Sequence, residues 1–418
     1  MPDSRRAIDT DVLVVGAGPG GSAAAYHLAR HGVDVTVLEK AAFPREKVCG
    51  DGLTPRSVRS LLRMGIDTED PRFERVIGLR VYSRRTTIEL PWPELRDFPD
   101  YGLAGTRMDM DEMLVRRAEK AGARLLERTE AVSPILEEGW VRGVLARDAE
   151  ERDGEPFEVR ARLVLAADGA PSKLSAQAGV RRDDSRPLGI AARRYYRVER
   201  HPGPWFESWL DLWEGDTILP GYGWLFPLAD GTVNLGAGLL NTFKGFRDVS
   251  AQRLFAAFVS MMPSEWGFSE ETAAGRVLSG PLPMGGSRRP VAVPGMLLIG
   301  DAAGMVNPFN GEGIAYAMES GEVAAELAHG SLVRGHAGIA QMYPTVLRER
   351  YARYFWYGTW FARAIGHPRV MQALTRYLLP NEPAMRFAMR VLANLTDGRK
   401  GDAQDRLRYA LERLAPAA

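Results

Sequence analysis

The residues best placed to do chemistry lie within the first fifty positions. Gly16, Gly18 and Gly21 form G-x-G-x-x-G, with Pro19 inside the loop, between the apolar run Val12-Leu13-Val14-Val15 and the Ala-rich stretch Gly20–Arg30. In a strand–turn–helix setting the first glycine permits the tight turn and the second lets the backbone approach a pyrophosphate. The third lets helix and strand pack closely. The helix start then turns unpaired N–H groups and a partial positive charge toward the phosphates. Glu39 ends a second apolar run, Val35-Thr36-Val37-Leu38, about where a carboxylate accepts ribose hydroxyls, and Lys40 follows it. A glycine turn without a ligand is the bland alternative, but strand, turn, helix, strand and terminal acid agree on a dinucleotide site. The loop alone does not say which dinucleotide.

Further along, Asp168-Gly169 follows the apolar run Leu163–Ala167, and Gly300-Asp301 follows Met296–Ile299. Asn307-Pro308-Phe309-Asn310-Gly311-Glu312-Gly313 then leads into a helical pattern beginning near Ile314. Taken singly, each is as well read as a plain turn. A glycine-rich helix start after Pro308 would aim free N–H groups at an anionic group, a contact worth about 0.3–1 kcal/mol. Tyr222, Trp224 and Phe226 alternate, so a strand puts all three on one face, either as sheet core or as the wall of an apolar tunnel. Gly236 and Gly238 beyond them either leave space there or mark a bulge. Cys49 is the only cysteine. A free cysteine is usually a small buried hydrophobe, but Gly50 and Gly52 beside it let the backbone pass close to a ligand.

The elements that must position these groups suit a chain of 418 residues, which is too long for one compact core. A composition 45% hydrophobic and 26% charged is that of a globular protein. With 54 basic and 53 acidic side chains there is no global field to attract nucleic acid. One cysteine excludes an internal disulfide, argues against a Cys-based metal site and suits a reducing, cytoplasmic setting. No secretory signal is visible at the start, and no run approaches the roughly 18 apolar residues of a membrane span. Residues 1–75, 101–185 and 271–335 read as a discontinuous nucleotide domain of Rossmann-like α/β type. Residues 76–100 and 186–270 read as an inserted antiparallel sheet, and 336–418 as a helical region broken at Pro368, Pro380 and Pro383. Aromatic residues such as Trp356, Trp360 and Phe361 are mixed there with Arg353, Arg363, Arg369 and Arg376. Such helices usually cap a core, and otherwise lie in a membrane surface.

Together the dinucleotide loop, Asp168-Gly169 and Gly300-Asp301 resemble the glutathione-reductase-like flavoproteins of the hydroxylase branch, which implies FAD. That resemblance places Asp301 at the ribityl chain and Asp168-Gly169 near the pyrophosphate. It also puts Arg107, in Thr106-Arg107-Met108-Asp109-Met110-Asp111, near the cofactor. The segment Pro44-Arg45-Glu46-Lys47-Val48-Cys49-Gly50-Asp51-Gly52 is similar to the P-x-x-K-x-C-G-x-G segment of the geranylgeranyl reductase family. Tyr222-Gly223-Trp224-Leu225-Phe226-Pro227 with Gly236-Ala237-Gly238 is similar to that family's Y-x-W-x-F-P and later G-x-G. The resemblance spans about Asp11 to Leu327. Within the family, Cys-Gly-Asp-Gly-Leu-Thr-Pro and Leu-Pro-Met-Gly-Gly look most like the bacterial menaquinone reductase branch.

The resemblance implies a reductase that saturates double bonds of a prenyl chain by hydride transfer from reduced FAD, with NADPH or a redox carrier protein as electron donor. It implies cofactor contacts at Gly16, Gly18, Pro19, Gly21, Glu39, Lys40, Arg45, Cys49, Gly50 and Arg107. Further contacts are implied at Asp168, Gly169, Gly300, Asp301, Gly311, Gly313 and Ile314. Catalytic roles fall to Cys49, Gly50, Tyr222 and Trp224, with Tyr222, Trp224, Phe226, Gly236 and Gly238 as the substrate tunnel. Two other functions suit the same scaffold: an aromatic monooxygenase or halogenase, and a prenyl-binding carrier without redox work. A halogenase needs a catalytic lysine and none stands in a matching context, while the intact loop, Glu39 and Asp301 argue against the carrier.

Overall fold

The computed structural model describes residues 7–84, 86–151, 154–198, 203–397, 401–402 and 404–405. The start of the expected nucleotide domain (1–6) and the end of the expected helical region (406–418) lie outside the described residues. The fold is Rossmann-like α/β with an inserted sheet and a helical C-terminal region. Five parallel strands form its centre, in the order Met296–Leu298, Phe157–Ala166, Ile8–Val15, Val35–Leu38 and Arg124–Leu126. Their continuous apolar runs follow from burial on both faces: Val12, Leu13, Val14, Val37 and Leu165 have no exposure. The strand Phe157–Ala166 begins earlier than its apolar run suggests, because its first half pairs antiparallel with Trp140–Asp148.

Helix Pro19–Arg30 starts on the glycine loop with Pro19 in its first turn, where the missing N–H costs nothing. It crosses helix Ile314–Arg334 so closely that a Cβ on Gly321 would sit 2.3 Å from the Gly20 carbonyl oxygen. That contact sets the start of the second helix beside the start of the first, although almost three hundred residues separate them.

Among the described residues the inserted sheet has seven strands, in the order Ala273–Pro283, Leu188–Arg197, Thr232–Leu240, Tyr222–Pro227, Trp205–Trp209, Gly78–Ser83 and Thr86–Pro91. Two features differ from the sequence reading. Trp205–Trp209 and Gly78–Ser83 pair parallel, so the sheet is not wholly antiparallel. The long connection between those two strands in the chain allows this, since a parallel pair needs a crossover. The sheet also runs to Pro283, past the expected border at 270, because Ala273–Pro283 pairs with Leu188–Arg197.

Helices Tyr343–Ile365, Pro368–Ala373 and Glu382–Leu392 follow the proline breaks. Among the described residues no helix is long and apolar enough to cross a membrane. The helical region is tied to the nucleotide domain through Glu319, which is 5% exposed. Its carboxylate accepts from Arg56 and Arg59 at 2.8 Å each and from the Tyr351 hydroxyl at 2.8 Å. Burial works against its charge, but Arg56, Arg59 and Tyr351 outweigh burial and hold it below the ordinary 4.5. A carboxyl depressed on folding stabilises above its unfolded value and loses that contribution as pH falls through the folded one. Glu319→Gln should therefore destabilise the protein by about 3 kcal/mol or more by stranding two guanidinium groups. Denaturant unfolding should show this loss at neutral pH, shrinking below about pH 4.

Candidate functional site

The dinucleotide loop is shaped by close approach. Gly16 has φ +100°, and a Cβ there would meet the Ala167 carbonyl oxygen at 2.4 Å. A Cβ at Gly21 would meet the Gly16 carbonyl oxygen at 1.9 Å. The loop is thereby pressed against the end of strand Phe157–Ala166, which brings Asp168-Gly169 to it. Asp168 accepts from the Ser172 hydroxyl (3.1 Å) and the Leu174 N–H (3.2 Å), fixing the turn that follows.

Glu39 is 5% exposed and engaged by the loop itself. Its oxygens accept the N–H groups of Ala17 and Ala41, both at 3.1 Å, and pair with Arg45 at 3.2 Å. Arg45 also donates to Asp111 at 2.9 Å, and Asp111 takes a fork from Arg107 with both distances 2.7 Å. Asp111 has no exposure. A single buried carboxylate thus orients two guanidinium groups that share it. A Cβ on Gly18 would lie 3.8 Å from one Arg45 nitrogen and 3.9 Å from one Arg107 nitrogen. Bare backbone between two cations at a helix N-terminus is a cradle for a diphosphate, so these residues fit FAD. Lys40, the residue after Glu39, is exposed, and its charge acts on Glu130.

Gly300-Asp301 forms a tight helical turn after strand Met296–Leu298, and Gly300 donates to the Ser320 hydroxyl at 3.0 Å. Asp301 lies against Gly313, where a Cβ would be 3.4 Å from its Oδ1. Gly313 caps helix Ile314–Arg334, whose first residue, Ile314, is buried. Gly311, at φ +80°, faces the Tyr222 hydroxyl, 3.0 Å from where a Cβ would be. The inserted sheet therefore reaches the loop before this helix. Glu312 between them accepts from Thr54 (2.5 Å) and Ser57 (2.9 Å), closing the loop onto helix Pro55–Arg63.

Tyr222, Trp224 and Phe226 do share a face. Their neighbouring ring centroids lie 6.0 and 6.4 Å apart. Register places Tyr222 opposite Gly238 and Trp224 opposite Gly236 with no shift, so neither glycine marks a bulge. Nor does Gly236 leave an open gap: the Trp224 indole covers it, with ring carbon 2.1 Å from the position of a Cβ. Burial pushes the Tyr222 hydroxyl up to about 12. Gly50 and Gly52 lie under this aromatic face, Gly50 against Trp224 and Phe226, and Gly52 against Phe226 and Phe206.

Cys49 is half-buried between the two halves. Burial pushes its thiol above the ordinary value, opposed by the neighbouring Arg107 guanidinium. The loop around it is pinned from several sides. Arg193, 1% exposed, donates to Glu46 at 2.9 Å. Asn234 donates to the Cys49 carbonyl oxygen (2.9 Å) and to the Asp51 carboxylate (2.8 Å), and accepts from the Trp224 indole (3.0 Å). Asp111, Asp51, Asn234, Tyr195 and Arg193 were not singled out from the sequence. The i, i+4 spacing of Arg107 and Asp111 was a usable signal. So was Asn234, a lone amide in the wholly buried strand Thr232–Leu240.

A dinucleotide cradle joined to a thiol loop and an aromatic sheet face defines an FAD-dependent oxidoreductase. Residues 9–194 match the model for an FAD binding domain, and 104–327 match that for an FAD dependent oxidoreductase. A menaquinone reductase of Mycobacterium tuberculosis is 39% identical over 92% of this chain and 91% of its own. A digeranylgeranylglycerophospholipid reductase of Methanosarcina acetivorans is 31% identical over 79% of this chain and 78% of its own. The crystal structure of a geranylgeranyl bacteriochlorophyll reductase-like protein from Thermoplasma acidophilum superposes with TM-score 0.76 at 25% identity. The match covers 93% of this chain and 98% of that one. The chain belongs to the geranylgeranyl reductase family of FAD-dependent oxidoreductases.

Asp111→Asn should release both guanidinium groups from their shared anchor while leaving the glycine loop intact. FAD affinity, read by flavin fluorescence titration of the apoprotein, should weaken by about 30-fold, equivalent to ~2 kcal/mol.

Proposed function

We propose that this enzyme saturates carbon–carbon double bonds of an isoprenoid chain, most specifically the prenyl tail of menaquinone. The observation that carries the reading is the meeting of the Cys49 loop, the Arg107 end of the cofactor cradle and the Tyr222–Phe226 face. The names of the mycobacterial and archaeal relatives support the substrate class.

Gly16, Gly18, Gly21, Arg45, Arg107 and Asp301 would hold FAD, which supplies a hydride when bound and reduced. NADPH or a redox carrier protein would supply the electrons. An isolated alkene offers no carbonyl to polarise, so the chain's own task is to position it and to exclude water. The aromatic face of Tyr222, Trp224 and Phe226 serves that purpose, lying against Gly50 and Gly52. Cys49 is assigned as donor of the proton that completes saturation. Its elevated thiol value keeps the proton in place at neutral pH, and Arg107 beside it stabilises the thiolate left behind. General-acid donation contributes about 10²–10⁴-fold.

Cys49→Ser should retain FAD but lose prenyl reduction by about 100-fold or more. The check is mass spectrometry of menaquinone incubated with the reduced enzyme, which follows the gain of two hydrogen atoms per saturated bond. Oxygen uptake coupled to turnover of an aromatic compound would instead favour a monooxygenase or halogenase.

A lipid-borne substrate also makes contact with the bilayer useful. The helical region offers Trp360 (52% exposed) with Arg363 over its ring, and Tyr377 (70% exposed) with Arg376 over its ring. Such amphipathic basic surfaces favour an anionic lipid interface. Sedimentation with vesicles containing anionic lipid should carry the protein down, and Trp360→Ala with Tyr377→Ala should reduce the bound fraction. Equal recovery of both proteins in the supernatant would refute the membrane contact.

A further inference from the structure

Asp51 is a buried acid to which the mechanism above gives no part. It is 1% exposed and sits at φ +65°, a left-handed conformation that a side chain other than glycine rarely adopts. One carboxyl oxygen, Oδ2, accepts from the Tyr195 hydroxyl at 2.7 Å and from the Asn234 amide at 2.8 Å. The other, Oδ1, is buried with no hydrogen-bond partner among the described residues. An ionised carboxylate leaves that bare oxygen charged in a dry site, which is costly, whereas a proton on Oδ1 removes the charge and keeps both bonds at Oδ2.

The surroundings tie this carboxyl to Cys49. Asn234 holds the Asp51 carboxylate and the Cys49 carbonyl oxygen with one amide group, and its own oxygen holds the Trp224 indole. Asp51 lies two residues past Cys49, and its charge opposes ionisation of the thiol. We infer that Asp51 is a positioning residue for Cys49, whose gain or loss of one proton sets how readily the neighbouring thiol releases its own. This inference rests on the assignment of Cys49 as proton donor.

Burial raises the Asp51 carboxyl to about 6, against the bonds from Tyr195 and Asn234 and the charges of Arg193 and Arg107. The titratable and charged groups facing it are Tyr195 and Arg193 from strand Leu188–Arg197, Arg107 from helix Arg107–Lys120, and Cys49 from its own loop. The strands Tyr222–Pro227 and Thr232–Leu240 contribute the non-titrating Trp224 and Asn234. Below the Asp51 midpoint the carboxyl is neutral and the thiol is the stronger acid. Above it the carboxylate holds the thiol proton in place.

Asp51→Asn tests this, because a carboxamide reproduces the neutral state, with one accepting oxygen and one donating group. On the FAD-loaded protein without substrate, Cys49 alkylation by iodoacetamide at pH 8 should rise by about threefold or more in Asp51→Asn. Infrared difference spectra of the unaltered protein should show a protonated carboxyl band with a midpoint near pH 6 that Asp51→Asn lacks. Tyr195→Phe, which removes one donor to Oδ2 and leaves the carboxyl, should move that midpoint upward. In turnover, the rise in rate as pH falls through about 6 should be absent from Asp51→Asn. Unchanged alkylation in Asp51→Asn, or a band that survives the substitution, overturns the inference. Failure of prenyl reduction would instead count against the proposed substrate, since alkylation and the infrared titration need none.

Discussion

The candidate site depends on how one segment, Pro44–Thr54, is pinned between two sheets. On one side Asp111 draws Arg45 inward beside Arg107, which fixes the segment to the dinucleotide loop. On the other side Arg193, Tyr195 and Asn234 fasten Glu46, Cys49 and Asp51 to the inserted sheet. These are charge-assisted or buried bonds, the kind whose rupture leaves uncompensated groups in a dry interior. A segment whose only regular structure is the two-residue strand Gly52–Leu53 holds one conformation here because partners on both flanks over-determine it.

Glycines set the distances across which those bonds act. Gly16 and Gly21 compress the dinucleotide loop onto strand Phe157–Ala166, and Gly20 against Gly321 brings the two helix starts together. On the other flank, Gly236 accommodates the Trp224 indole, and that placement lets its N–H reach Asn234. The glycine expected to widen a tunnel thus does a different job: it seats the aromatic residue that closes over the Cys-Gly loop. The cavity logic of the sequence was right in kind, since a missing Cβ does make space, but the space is filled from within the sheet.

Electrostatically the site separates two roles by burial and pairing. Asp111 and Glu39 are surrounded by donors and serve to orient cations at the cofactor cradle. Among the described residues Asp51 has donors at one oxygen, and burial pushes it toward its neutral form. The difference lies in how many donors meet each carboxyl group once water is excluded.

The local elements were legible in the residues themselves. Continuous apolar runs marked the parallel strands, proline and glycine marked the helix starts, and alternation marked the shared face of Tyr222, Trp224 and Phe226. Resemblance to a known family supplied the cofactor and placed Cys49 beside it. Pairing between distant segments was not legible, because hydrogen-bond partners across a sheet leave no trace in local periodicity. The parallel contact of Trp205–Trp209 with Gly78–Ser83 and the extension of the sheet to Pro283 therefore emerged only in three dimensions. The same holds for Asp51, Asn234 and Asp111. Their residue types are ordinary, and what singles them out is the loss of water around them together with the count of donors that remain. Sequence alone determined the elements and the family. Burial and long-range pairing, which belong to the tertiary structure, decided which polar groups meet at the candidate site.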